Sequence, residues 1–220
     1  LSFFPIWMKK VAIVIFTRLI CQLSCLTTVH TRRCKTVLLN EYHIREWKIT
    51  IIPHGLDNVA GIPQNEAKHL LGLDKRQVML CLGFIKPDKG FENAINALKS
   101  PDFCDYVLVI AGTIPFRHTL SEEHYVEYLH RLGSSLDLKE RVIFIEHFLS
   151  DYEIHVLLSA SDLVYLPYKL DTCGASGIHC LARSHKKRIM TSGISRFNEN
   201  HDCDWDSVAN ALLSLYADLV

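Results

Sequence analysis

The sequence predicts an α/β fold: a Rossmann-like parallel sheet with helices on both faces. Three observations carry this prediction. Short β-branched apolar runs alternate with helical periods along most of the chain. The runs are apolar almost throughout, as strands covered on both faces must be. Two of them lead into loops rich in Gly and small residues that open helices, the turn chemistry of strand-to-helix connections.

At the start, Met8-Lys9-Lys10 followed by Val11–Phe16 mimics a leader segment. The apolar run is too short, Thr17 and Arg18 break it, and no clean small-residue cleavage site follows. It is also too short and too charged to span a bilayer, and reads as a helix or strand. Leu26–His30 reads as a strand and Arg33–Tyr42 as a helix. The strand series then runs Ile49–Pro53, Val78–Phe84, Tyr106–Ala111, Val142–Ile145, Leu163–Pro167 and Arg188–Thr191. Tyr125, Leu129, Leu132 and Leu136 recur on one helical face. Ser150-Asp-Tyr-Glu153 is a capping box that opens a helix with Ile154, Leu157 and Leu158 inward. A last helix carries Trp205, Val208, Ala209, Leu212, Leu213 and Tyr216, with Asp204 as its cap.

Composition narrows the function classes. The chain has 220 residues, 49% hydrophobic and 22% charged, enough to bury a core and too apolar for disorder. That length allows one full domain plus a remnant, or two small ones. Formal net charge is zero, which excludes a strongly basic nucleic-acid binder and an acidic solvating chain. The zero hides an asymmetry: residues 1–50 hold eight basic and two acidic residues. A boundary is expected near Pro53-His54-Gly55, and Leu1 in place of Met is read as an unnatural start. The eight cysteines contain no C-x-x-C pair and read as buried free thiols of a reducing cytosol. No metal is expected: the twelve histidines lack ligand spacing, and His201-Asp202-Cys203-Asp204 reads as a polar loop ahead of a helix.

Ligands on such sheets bind outside the carboxyl ends of strands, so the loops after strands hold the chemistry. The first reads Gly83-Phe-Ile-Lys86-Pro-Asp-Lys89-Gly90, then a helix Phe91–Leu98. Gly83 admits close backbone approach, and the helix start with two lysines suits a diphosphate. The competing reading is a solvated basic turn. Neither Walker A nor G-x-G-x-x-G is present. The second loop contains Cys173-Gly174-Ala-Ser176-Gly177 and leads to Leu181. It reads equally as an anion nest or as a tight turn that binds nothing.

Taken in order, these segments resemble the donor-binding half of family 4 glycosyltransferases of the GT-B fold: Ile52–Asp57, Gly83–Gly90, Val107–Gly112, Arg141–Ile145, Ala160–Tyr168 and Ser192–Glu199. The resemblance runs from about residue 26 to 199. It implies that 51–220 is a nucleotide-sugar-binding Rossmann-like domain, the GT-B C-terminal half, and that 1–50 is a remnant of the N-terminal acceptor-side domain. It implies retaining hexosyl transfer from a nucleoside-diphosphate sugar to a glycan, lipid or small-molecule acceptor, with no cofactor and no metal. Residue by residue, Gly83, Lys86 and Lys89 fall in the donor diphosphate loop. Cys173, Gly174, Ser176, Gly177 and Leu181 fall in the sugar and phosphate loop. His147, Phe148 and Leu149 fall where the family lines the base pocket. No catalytic residue is assigned.

The sequence departs from the family in three ways. Where many members have Glu, seven residues, then Glu, this chain has Cys173 and Leu181, neither a strong acceptor for a sugar hydroxyl. A whole enzyme needs a second such half. The span from Glu199 to the last helix is short, and an edge strand is expected to be missing. The alternative is a non-catalytic or split donor-binding module that needs a separate acceptor-binding chain. The expected location is cytoplasmic, with peripheral membrane contact through the basic, apolar N-terminal part.

Overall fold

The computed structural model describes residues 5–116, 119–198 and 202–218. Contacts divide the chain into two compact units, one made of the described residues of 1–56, 172–176 and 198–220, the other of 57–171 and 177–197.

In the first unit, helix α1 (Ile6–Leu23) is followed by strand β1 (Thr27–Val29), helix α2 (Arg32–Asn40) and strand β2 (Ile49–Ile51). Strands β1 and β2 pair in parallel as a sheet of their own. The run that begins at Ile49 therefore belongs with the segment before it and not with the main strand series. An apolar run of three to five residues says nothing about its partner. Cys21, Ile44 and Ile49 form the small core here. Thr31 caps α2 by accepting from the Cys34 N–H at 2.9 Å. Lys48 Nζ donates to the carbonyls of Cys21, Gln22 and Ser24, a cation on the carbonyl end of α1. Trp7, Ile13, Phe16, Ile20 and Leu23 of α1 are exposed. Among the described residues, no helix is long and apolar enough to cross a membrane.

The second unit continues with helix α3 (Gln64–Leu70), strand β3 (Gln77–Leu82), helix α4 (Phe91–Ala97), strand β4 (Tyr106–Gly112), helix α5 (Leu120–Ser135), strand β5 (Val142–Glu146), helix α6 (Asp151–Ala160), strand β6 (Leu163–Leu166), helix α7 (Gly177–Ser184) and strand β7 (Ile189–Thr191). Five strands form one parallel sheet in the order β5-β4-β3-β6-β7. Side chains alternate across it with period two. Val78, Leu80 and Leu82, with Val107, Val109 and Ala111, face a layer that includes Leu157, Leu158 and Ala182 of α6 and α7. Met79, Cys81, Leu108 and Ile110 face the opposite layer, with Phe91, Ile95, Tyr125 and Leu129 of α4 and α5. Both faces are covered, so nearly every position of β3 and β4 is buried.

Local signals hold where their chemistry is short-range. The Ser150/Glu153 capping box opens α6. Tyr125 and Leu129 are buried under α5, with Leu132 and Leu136 packed beside them. Helix α8 (Trp205–Ala217), in the first unit, is capped by Asp204, whose carboxylate accepts from the Ser207 N–H at 2.8 Å. Only Val208 of its apolar residues is buried. The cysteines need a correction: all eight are free, but only Cys21, Cys81 and Cys180 are buried, and Cys25 and Cys104 are exposed. The latter two fall in loops, where no apolar layer covers them. His201, Glu199 and Leu1 lie outside the described residues.

Candidate functional site

In the second unit the strand order reverses direction between β3 and β6. Connections from β3 run outward through α4 and α5 on one face, and those from β5 run through α6 and α7 on the other. Loops at the carboxyl ends of β3 and β6 therefore diverge, and the crevice between them is where such sheets take ligands. A cavity of about 250 Å³ opens at these strand ends. Leu82 and Gly83 line it from β3, Gly112 and Thr113 from β4, and His147, Phe148 and Leu149 from the loop after β5. Lys89 and Ile178 close its sides.

The Gly83–Gly90 loop is shaped by packing at its end. Gly90 has φ 66°, and a Cβ there would lie 2.2 Å from the Pro167 carbonyl oxygen. The loop after β6 also donates its Lys169 N–H to the Asp88 carbonyl at 2.9 Å. The Lys169 ammonium pairs with Glu92, which accepts from the Tyr125 hydroxyl at 2.5 Å. The two loops are thus fixed to one another, and Lys89 is held between them.

Lys89 Nζ sits 3.8 Å from the centroid of the Tyr168 ring. Tyr168 is only 2% exposed. A cation over a buried aromatic face is held electrostatically. Burial lowers the Lys89 pKa; Asp88 opposes the shift, while Arg196 and Lys86 add to it. Lys86 is placed differently. It does not line the cavity, and its ammonium lies 3.6 Å from Asp88 and 3.9 Å from Glu122.

Opposite Lys89, the base-pocket candidates come together. Leu149 is buried, whereas Phe148 is 81% exposed at the cavity mouth. His147 Nε2 lies 2.6 Å from Glu153 Oε1. Glu153 also accepts the Ser150 N–H at 2.8 Å, and this bond, then the Ser150 hydroxyl and His147, holds its pKa down at about 2. The capping box of α6 therefore anchors the loop that carries Phe148.

The second loop is divided between the two units. Cys173, Gly174 and Ser176 belong to the first, where Thr31 Oγ1 donates to the Cys173 carbonyl at 2.6 Å. Gly177 and Leu181 belong to the second. Gly177 begins α7, and Leu181 packs against the core layer under that helix.

Three residues at the strand ends were not singled out from the sequence as binding residues. Gly112 lies against Gly83. Tyr168 carries Lys89. Arg196, in the turn Ser195–Phe197 that follows β7, lies with its Cζ 5.4 Å from the same Tyr168 ring. The available signal for Arg196 was its position: a cation just past the carboxyl end of a strand.

A doubly wound five-stranded sheet, with a lysine-bearing loop at its switch point and an open cavity at its strand ends, defines a Rossmann-like domain of the GT-B class. Residues 63–181 match the family model described as glycosyl transferases group 1, and the chain belongs to that family. Solved structures of the same fold include HepE of Anabaena, described as in complex with UDP and glucose, at 22% identity and TM-score 0.66, covering 77% of this chain and 45% of that one. Sucrose-phosphate synthase from Thermosynechococcus elongatus is similar at 17% identity and TM-score 0.68, covering 93% and 52%. The C-terminal domain of LpcC, a glycosyl transferase group 1 family protein of Francisella tularensis, is similar at 18% identity and TM-score 0.53, covering 74% and 88%. The chain spans about half the length of HepE and of the synthase. No curated protein matches it.

Proposed function

We propose that this chain is the donor-binding part of a retaining glycosyltransferase that takes a nucleoside-diphosphate hexose. One observation carries the reading: Gly83 and Lys89 from one loop, and His147, Phe148 and Leu149 from another, line one cavity at the switch point. The diphosphate lies along the Gly83 backbone and against the Lys89 ammonium. The base rests on Phe148 and Leu149. In transfer, the bond from the anomeric carbon to the diphosphate breaks as the acceptor oxygen bonds to that carbon and passes its proton to the departing diphosphate. Negative charge then grows on the leaving diphosphate, where a cation already in place lowers the barrier. UDP in HepE supports this donor class.

The acceptor site belongs to a partner half, and residues 1–50 are the tail of that half, with the donor domain spanning 51–220. The Leu181 side chain, partly buried and packed against the core, offers no acceptor to a sugar or ribose hydroxyl. For this reason the chain alone is a binding module first, with weak or no transfer of its own. The test is calorimetric titration of the chain with a panel of nucleoside diphosphates, repeated on Lys89→Ala. Binding that depends on Lys89 supports the proposal. No binding, or binding indifferent to Lys89, removes it.

A further inference from the structure

We infer that Arg196 is the second cation of the diphosphate subsite, taking the part that the sequence assigns to Lys86; this rests on the donor-binding reading above. Arg196 and Lys89 converge on one buried aromatic ring: Tyr168 has Lys89 Nζ at 3.8 Å and Arg196 Cζ at 5.4 Å from its centroid. Phe197 holds the same guanidinium from a second side, at 5.9 Å. The turn that carries Arg196 is tied at two points to Asp171, which accepts the Ser195 hydroxyl at 2.8 Å and the Arg196 N–H at 3.2 Å. Tyr168 is itself fixed to the strand end of β7, its carbonyl accepting the Ser192 hydroxyl at 2.6 Å.

Two cations drawn to one ring repel each other, and the field of Arg196 reaches both Lys89 and His179 in the first turn of α7. The Arg196 charge is therefore felt at both the lysine loop and the helix start, the two parts that a diphosphate would meet. An anion there relieves the repulsion, and guanidinium can hold two phosphate oxygens at once where an ammonium holds them as a point charge. Lys86 is a poorer candidate because Asp88 and Glu122 neutralise it locally.

The experiment titrates the full chain with UDP and with uridine by calorimetry, for wild type, Arg196→Gln, Arg196→Lys and Lys86→Ala. Loss of one charge-assisted contact is expected to weaken UDP binding about ten- to a hundredfold in Arg196→Gln. Uridine affinity stays unchanged, Arg196→Lys recovers part of the loss, and Lys86→Ala changes UDP affinity less than Arg196→Gln does. The UDP-to-uridine affinity ratio on the same sample removes any effect of partial unfolding. Equal loss for UDP and uridine, or none for UDP, overturns the inference while leaving a Lys89-dependent donor site standing. Failure of wild type to bind UDP, with no other nucleoside diphosphate of the panel bound, overturns both.

Discussion

Gly112 presses its α-carbon against the Gly83 carbonyl: a Cβ at Gly112 would stand 2.0 Å from that oxygen. Its φ of 146° lies in a region that side chains rarely enter. The Gly83 N–H also donates to Ala111 O at 3.0 Å, and the Ile85 N–H to Thr113 O at 3.0 Å. The floor of the cavity is thus two strand ends in backbone contact. Gly112→Ala is expected to lose about 3 kcal/mol or more in urea unfolding, because both the clash and the dihedral oppose it. Gly61→Ala, with open space around it, should stay within about 0.5 kcal/mol. Equal effects would mean that the contact does not matter.

Lys89 gives a test that uses proton counting. Its pKa is lowered by burial first, so between the lowered value and the ordinary lysine value the folded chain carries fewer protons at this site than the unfolded one. Stability from this group therefore rises as pH climbs from the lowered value towards the ordinary lysine value. Diphosphate favours the charged ammonium, so binding in this window takes up a proton. Titration in buffers of different ionisation enthalpy should show that uptake. Lys89→Arg should bind without it, since guanidinium stays charged. Uptake that persists in Lys89→Arg would assign the proton elsewhere.

Much of the fold was readable because its signals are local. The runs of β3, β4 and β6 are buried almost throughout and read as such, β5 and β7 at the sheet edges only partly so, and the Ser150 and Asp204 caps act within three residues. What was not readable depends on distant partners. Ile49 pairs with Thr27, a choice set by packing and not by either run. Lys86 and Lys89 look alike in sequence, and distant partners tell them apart: Glu122, in the first turn of α5, draws Lys86, and the Tyr168 ring holds Lys89. Arg196 reaches the site through Tyr168, a contact that no spacing rule encodes.

The His147–Glu153–Ser150 cluster predicts an acid limit. Glu153 is held at about 2, through the Ser150 N–H first, against an ordinary carboxylate value near 4.5. Its contribution is fully present above the ordinary value and is lost as pH falls towards 2. Thermal melts of wild type should therefore fall across that window, and Glu153→Gln should flatten the slope. The same variant should weaken nucleoside binding at neutral pH, because it loosens the loop that carries Phe148. Parallel pH slopes in the two proteins would show that the cap carries no part of the acid response.

A second window belongs to His155 and His185, whose ring nitrogens Nδ1 and Nε2 lie 2.9 Å apart between α6 and the end of α7. One nitrogen must donate and the other accept, so charging both breaks the bond. Burial first, then His155 and Lys187, push His185 down to about 4, while Asp57 pulls the other way. In the unfolded chain its value returns to about 6.5, so between 6.5 and 4 the unfolded chain holds more protons. Stability then drops as pH falls through this window and levels off below it. His185→Gln should remove the drop between 6.5 and 4 and leave the Glu153 slope below 4.5 in place. The imidazole signals of wild type, followed by NMR, should show His185 neutral at pH 5.5. A His185 that titrates near 6.5 would refute this account.

Helix α1 sets the behaviour of the chain at high concentration. Its exposed Ile13, Phe16 and Ile20 lie three and four residues apart on one side, while Val11, Ile15 and Leu19 are exposed at four-residue spacing on another. Cys21 is the position of this helix that reaches the small core. An apolar surface of this extent associates in water unless something covers it. Light scattering of the chain should rise with concentration, and the triple change Ile13→Gln, Phe16→Gln, Ile20→Gln should suppress the rise. The melting temperature should barely move, because exposed side chains contribute little to the folded state. UDP affinity should also stay the same, since the cavity belongs to the other unit. If the triple variant melted well below wild type, these side chains would have to be packed, and the exposed face would not be the source of association.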